Sequence, residues 1–269
     1  MLPPAGKALS ALGRRLAGPA LVPAPPRRFD GLDIGFVVVA LVGLVGAALI
    51  LLDPIGFEAL DEWSPLVQRL GEDVTTFGNS GLYLVPLGVL LILGPWLPVA
   101  GRRIRVALDL VWLRLAFLFV AIAGSGIAVN VTKRLIGRIR PHHLDGSAVL
   151  QFEPFGWKAA AASFPSGHAT TAWCVAVGLG LMLGRKSYPT LVLCAVLVCA
   201  SRVILGAHFV SDVIAGGLFG GLATLWFARF LATRRLVFRF SEQGALALRG
   251  PGAAKTLRAW ASRRGVGAP

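Results

Sequence analysis

Six apolar stretches, at residues 34–52, 81–99, 113–132, 168–184, 188–206 and 211–231, alternate with polar, glycine-rich or basic segments along the chain. Each is close to the about 20 residues with which an α-helix crosses the hydrocarbon core of a bilayer. The pattern predicts an all-α fold, a polytopic membrane bundle of six transmembrane helices over residues 34–232. A basic N-terminal arm (1–33) and a basic C-terminal tail (233–269) flank it, both expected on the cytoplasmic side. The arm is too long and broken before its first apolar stretch for a cleaved signal. Its residues 6–18 suit either a short interfacial amphipathic helix or a disordered basic arm. Between the first two stretches, Asp53 to Ser80 mixes acids with Phe57, Trp63, Leu66, Val67 and Leu70, as suits a helix at head-group level. It either covers a substrate entrance or merely connects two spans, and connection is the simpler expectation.

Composition agrees with that pattern. A hydrophobic content of 55%, a charged content of 15% and a mean hydropathy of +0.71 lie far from the usage of soluble domains. A net charge of +14 raises the question of nucleic acid, and its distribution answers it. With both termini inside, twenty of the 27 basic residues and four of the 13 acidic ones fall on the inner side, leaving the outer side slightly acidic. That is the positive-inside pattern of a membrane protein whose basic loops face anionic lipid head groups. A nucleic-acid domain does not partition its charge around apolar spans.

Three short segments carry the chemistry: Lys133 to Pro141 (KRLIGRIRP), Pro165 to His168 (PSGH) and Ser201 to Asp212 (SRVILGAHFVSD). Lys133, Arg140 and Arg202 are cations that a membrane bundle has no structural reason to gather, since each is costly to bury without an anion. Phosphate fits: the guanidinium fork binds its oxygens bidentately and lysine adds a compact charge. Ser166 and Gly167 precede an apolar helix, so their backbone N–H groups are expected to point at the same anion from the helix N-terminus. His168 opens that helix. His208 lies beyond the third cation, and Asp212 follows it by four residues, a spacing that lets a carboxylate orient an imidazole. One histidine can attack while the other protonates. In the six-helix topology all three segments meet at the outer interface. Taken singly, Lys133 suits a snorkelling helix end, Arg140 a loop, PSGH a turn and His208 a core histidine satisfied by Asp212. His142 and His143, just after Arg140, read as loop residues or contacts at a substrate's edge.

The pattern K-x6-RP, then PSGH, then SR-x5-H-x3-D resembles the type 2 phosphatidic acid phosphatase family, and the chain matches all three motifs. The resemblance implies a metal-independent phosphatase that hydrolyses a lipid phosphate or diphosphate at the outer face of the membrane. It implies His208 as the nucleophile that forms a phosphohistidine, Asp212 as its support, and His168 as acid to the leaving oxygen and then base to water. Lys133, Arg140, Arg202 and the N–H groups near Ser166 and Gly167 would bind the phosphate. No cofactor and no metal is implied. Phosphatidic acid, phosphatidylglycerol phosphate, undecaprenyl diphosphate and a lipid A phosphate all fit as substrates, and a bacterial inner membrane with a periplasmic site is the expected location. Three alternatives stay open: a transferase using the same phosphohistidine, a non-catalytic lipid-phosphate binding or transport protein, and, through a shared site design, a vanadium-dependent haloperoxidase. The sequence does not set the oligomeric state.

Two further features belong to packing. Gly216, Gly217, Gly220 and Gly221 form overlapping G-x-x-x-G spacings, which suit close approach inside the bundle. Cys174, Cys194 and Cys199 sit in apolar stretches as small hydrophobes, with no disulfide and no metal site expected.

Overall fold

Apolar runs of this length leave helix as the one local solution, because no water in the bilayer core can satisfy a free amide or carbonyl. The protein is described by a computed structural model covering residues 13–24, 31–96, 102–144 and 149–250. Helix α1 (Gly31–Ala47) continues through a π-helical segment, Ala48–Leu52, into α2 (Asp53–Glu58). Ser64 then caps α3 (Pro65–Thr75), its hydroxyl accepting from the Val67 amide, with Pro65 where no amide donor is needed. Asn79 caps α4 (Ser80–Leu93) in the same way through Gly81. The remaining helices are α5 (Arg102–Ile136), α6 (Gly167–Leu183), α7 (Tyr188–Ile204) and α8 (Val210–Thr233).

Among the described residues five helical runs are long and apolar enough to cross a membrane: 35–62, 65–93, 107–136, 185–204 and 210–233. The sixth apolar helix, α6, is shorter. The second crossing departs from its expected bounds of 81–99: it joins α3, stops at Leu93, and gives way to a 3-10 turn at Gly94–Trp96. Residues 97–101 lie outside the described part.

Short α6 is the centre of the bundle, packed against α5, α7 and α8. Its sequence explains the position: Ala169, Ala172, Ala176, Gly178 and Gly180 let neighbouring backbones come close. The facing glycines of α8 complete the fit. A methyl group on Gly216 would stand 2.3 Å from the Ser166 carbonyl oxygen, and one on Gly220 would stand 2.3 Å from that of Thr170. On Gly221 the nearest atom would be a Val177 methyl at 3.7 Å. Gly220→Ala is therefore expected to destabilise the bundle by roughly 1–3 kcal/mol, because backbone has to move. Gly221→Ala should be neutral or slightly stabilising, and thermal melts of the two variants in detergent check the contrast.

At the end of α8 remote from Asp212 the chain forms a β-hairpin, β1 (Phe238–Phe240) antiparallel to β2 (Leu246–Leu248). Phe238 is fully buried and meets Phe117 of α5 edge to face at 4.9 Å. Beside it pack Leu231 and Ala232 of α8 and, from α6, Leu181 and Met182. The first part of the basic C-terminal tail thus forms a folded plug, and residues 251–269 lie outside the described part. The N-terminal arm joins the same end. A helical turn at residues 13–17 leads to Leu21, whose amide donates to the Thr233 carbonyl at 2.9 Å, and Arg234 Nε donates to the Leu16 carbonyl at 2.9 Å. Residues 6–12 of the expected interfacial segment are outside the described part.

Candidate active site

The opposite end of the bundle gathers the three motifs. Lys133 lies in the last turn of α5 and is buried. The chain then turns at Gly137, whose φ of +65° suits glycine, and any side chain there would collide with the Glu153 carbonyl. Loop 137–144 is held by backbone bonds: Ile139 N–H to the Gln151 carbonyl and Arg140 N–H to that of Ala160, both 2.9 Å, and Ser163 N–H to that of Arg138 at 3.0 Å. Ser166 caps α6 by accepting from the Ala169 amide. Arg202 is in the last turn of α7, and its carbonyl accepts the His208 amide at 3.2 Å across a turn containing Gly206, where φ is +57°. Phe209 then caps α8, with Asp212 in its first turn.

One expectation needs correction. The Ser166 amide donates to the Asp212 carbonyl at 3.0 Å and so joins α6 to α8 instead of pointing at an anion, while the Ser166 hydroxyl accepts from the Ala169 amide and keeps its own O–H to donate. Gly167, at the first position of the helix, has no intrahelical acceptor for its amide. A methyl group on its α-carbon would stand 3.5 Å from the Lys133 Nζ, so the ammonium lies over this helix N-terminus.

The Asp212 carboxylate accepts three hydrogen bonds. Its Oδ1 accepts from Arg138 Nη1 at 2.6 Å, and its Oδ2 from Ser163 Oγ at 2.5 Å and from the Phe209 amide at 2.9 Å. His208 Nδ1 stands 3.6 Å from Oδ2, an ion-pair distance beyond hydrogen-bond length. Arg138 also gives Nη2 to Asp53 Oδ2 at 2.8 Å and Nη1 to Ser211 Oγ at 2.8 Å, while its guanidinium lies 4.0 Å from the centre of the Phe209 ring. Asp53 in turn accepts from the Ser211 amide at 2.8 Å and from the Ser211 hydroxyl at 2.5 Å. Arg138, Asp53, His208 and Asp212 are 0, 1, 2 and 0% exposed, so this network is sealed from water.

Burial pushes the His208 imidazole down to about 4, against Asp212, which raises it, and with Arg140 and Lys133, which lower it further. The ring is therefore neutral, with a free lone pair, across the range in which an ordinary histidine gains its proton. Because the folded value lies below the ordinary 6.5, the unfolded chain takes up the proton first, and His208 withdraws stability as pH falls from about 6.5 to about 4. Histidine NMR of the detergent-solubilised protein, assigned with His208→Gln, should show this ring neutral at pH near 6. A midpoint near 6.5 would overturn that.

The cations face the two histidines. Arg202 Nη1 donates to Thr75 Oγ1 at 2.7 Å, which braces it against α3. The buried Nε–H groups of Arg140 and Arg202 have no hydrogen-bond partner among the described residues. The charges of Arg202, Lys133 and Arg140 all bear on His168, as does His208. His168 itself packs against Gly78, where an added methyl would stand 2.8 Å from its Cβ. His142 and His143 are exposed at the rim, with the His142 ring beside Gly206. The segment from Asp53 to Ser80, for which connection of two spans is the simpler expectation and a cover over the substrate entrance the other, reaches the site three times, through Asp53, Thr75 and Gly78. Arg138, Asp53, Ser163 and Ser211 went unread in the sequence. The one signal among them was Arg138 itself, one of three arginines inside the first motif.

An array of guanidinium and ammonium groups around a neutral imidazole backed by a carboxylate can bind a phosphate and attack its phosphorus. Comparison with known proteins agrees with that chemistry. The PAP2 superfamily profile matches residues 114–236. The lipid A 1-phosphatase of Rhizobium etli is 36% identical over 208 residues, covering 76% of this chain and 87% of the relative. The undecaprenyl-diphosphatase of Sulfolobus acidocaldarius is 32% identical over 132 residues, 46% of this chain and 58% of the relative. Among solved structures, the transmembrane PAP2-type phosphatidylglycerolphosphate phosphatase of Bacillus subtilis shares the fold, with a TM-score of 0.52 and 22% identity over 73% of this chain and 94% of its own. The chain belongs to the PAP2 superfamily and is a membrane phosphatase acting on lipid phosphates.

Proposed function

We propose that the chain removes a phosphate from lipid A or a closely similar saccharolipid, at the outer face of a bacterial inner membrane, without a metal ion and through a phosphohistidine on His208. The observation that carries the reading is the meeting of Lys133, Arg140, Arg202, His168, His208 and Asp212 at one end of the bundle, with buried guanidinium N–H groups that have no partner among the described residues. The substrate is suggested by the lipid A 1-phosphatases of Rhizobium etli and Rhizobium johnstonii, each 36% identical to this chain. The outer location is supported by the described parts of both basic arms, residues 13–24 and 233–250, lying at the end remote from the site, in line with the positive-inside rule.

Lys133, Arg140, Arg202 and the Gly167 amide neutralise the phosphate oxygens, an electrostatic stabilisation that dominates phosphoryl transfer. Asp212 faces Nδ1 of His208, so Nε2 is the nitrogen presented to phosphorus. Attack forms the N–P bond and breaks the P–O bond to the lipid, and His168 gives its proton to the departing oxygen. Water then attacks phosphorus, loses its proton to His168, and the N–P bond breaks to release inorganic phosphate.

Phosphate release by the detergent-purified protein tests this, with chelator present, on lipid A, undecaprenyl diphosphate, phosphatidic acid and phosphatidylglycerol phosphate. Lipid A is expected to be hydrolysed fastest. Faster release from another lipid reassigns the substrate, and activity that returns only with added divalent ions overturns the metal-free mechanism. Hydrolysis by inside-out but not by right-side-out vesicles would overturn the outer location.

A further inference from the structure

Asp53 stands outside the region that the family profile matches, 114–236, yet it is bonded into the centre of the site. Its placement has a local cause. The π-helical turn Ala48–Leu52 packs against α8 and carries the chain from lipid-facing Ile50, Leu51 and Leu52 to a fully buried carboxylate in one step. Such turns re-aim side chains and recur at functional positions. A carboxylate there is costly unless paired, and its partner is Arg138, the same guanidinium that bonds Asp212.

The arithmetic of charge gives the pair a role. Asp212 alone with Arg138 would form a neutral couple, and the buried guanidinium would cancel much of the field that the carboxylate exerts on His208. A second carboxylate on the far side of Arg138 takes up that positive charge. We propose that Asp53 is a positioning residue for phosphoryl transfer: by neutralising Arg138 and fixing it through Ser211, it leaves the charge of Asp212 free to support His208 as positive charge develops on the ring. The inference rests on the proposed role of His208 as nucleophile.

The charged and titratable groups around His208 come from every packed element. They are Lys133 of α5, Arg138 and Arg140 of the following loop, His168 of α6 and Asp212 of α8, with Asp53 of α2 behind Arg138 and Arg202 of α7 facing His168. Arg140 and Lys133 disfavour a proton on His208, and Asp212 is the group that favours it. Releasing Arg138 from Asp53 therefore acts in a defined direction.

The test compares wild type, Asp53→Asn and the double variant Asp53→Asn/Arg138→Gln, with phosphate release from lipid A in detergent micelles measured near pH 4 and near pH 7. Substrate titration is common to all three, so differences in the ratio of the two rates report the enzyme. Asp53→Asn should lower kcat roughly tenfold or more at pH near 7 with KM within about twofold, and should lose proportionately less at the acid pH, because His208 holds its proton more weakly. In the double variant both members of the neutral pair are gone and Asp212 acts alone, so the ratio should return to near the wild-type value; charge balance demands a displacement in the single variant and its reversal in the double. A merely structural role lowers the yield of folded protein and leaves the ratio of Asp53→Asn at the wild-type value, which overturns the inference. If Asp53→Asn fails to fold, Arg138→Gln decides: it removes the positive charge and leaves both carboxylates, so its loss at the acid pH should exceed that of wild type, and an unmoved ratio contradicts the role. Should wild type hydrolyse none of the lipids, the reading of the site fails instead, and histidine NMR of the same proteins tests the charge effect on His208 without any substrate.

Discussion

Turnover should fall by about 10,000-fold or more when His208 is replaced by Ala, the scale seen when a nucleophile is removed from a constellation that acts as a unit. The fold should survive the change. Asp212 keeps its bonds to Arg138, Ser163 and the Phe209 amide, so no buried carboxylate is stranded, and the loss is confined to one ring's packing. Phosphate binding should survive as well, because Lys133, Arg140 and Arg202 are untouched. A rapid acid-free quench of wild type with 32P-labelled substrate should trap label on protein that is absent from His208→Ala. His168→Ala should accumulate that label when the leaving group is a good one, since removal of the acid then matters less than removal of the base. More than about a tenth of wild-type turnover in His208→Ala would exclude the nucleophile assignment.

Arg138→Leu should be the most damaging single change to the fold. It strands Asp53 and Asp212 together, two carboxylates with almost no exposure, and breaking a buried pair by removing one partner costs about 3–5 kcal/mol. With two acids left facing one cation's absence, the protein should accumulate poorly in the membrane and melt well below wild type after extraction. Arg138→Lys should be intermediate, since a point charge cannot reach both carboxylates and the Ser211 hydroxyl with the geometry of a planar fork. Arg140→Leu provides the contrast: its loss should lower activity with little change in the melt. Equal melting of Arg138→Leu and wild type would mean that the network does not hold the site together.

These two predictions differ in how far the sequence announced them. His208 and the cations were legible because their chemistry is repeated in three motifs and conflicts with a bilayer, which makes a buried Arg informative on its own. The spans were legible because apolar length is a direct consequence of bilayer thickness. Asp53 was not, since an acid at the end of an apolar run is what any helix boundary shows, and only the π-helical turn distinguishes it from a surface residue. Arg138 occupied one of the unspecified positions between Lys133 and Arg140. The Ser166 amide was misread because a helix N-terminus offers free amides in isolation, whereas α8 had already supplied the Asp212 carbonyl to this one. The hairpin at 238–248 escaped because three-residue strands leave no periodicity to detect, and its burial depends on the space beneath a short α6.

That plug has a consequence for the order of events in a cell. The aromatic and aliphatic side chains around Phe238 and Phe117 close one end of the bundle, and the histidines and cations occupy the other. A lipid assembled in the leaflet next to the closed end cannot present its phosphate to the site by diffusing within that leaflet. It has to be moved across the bilayer first, so the moment at which its phosphate disappears dates its arrival on the other side.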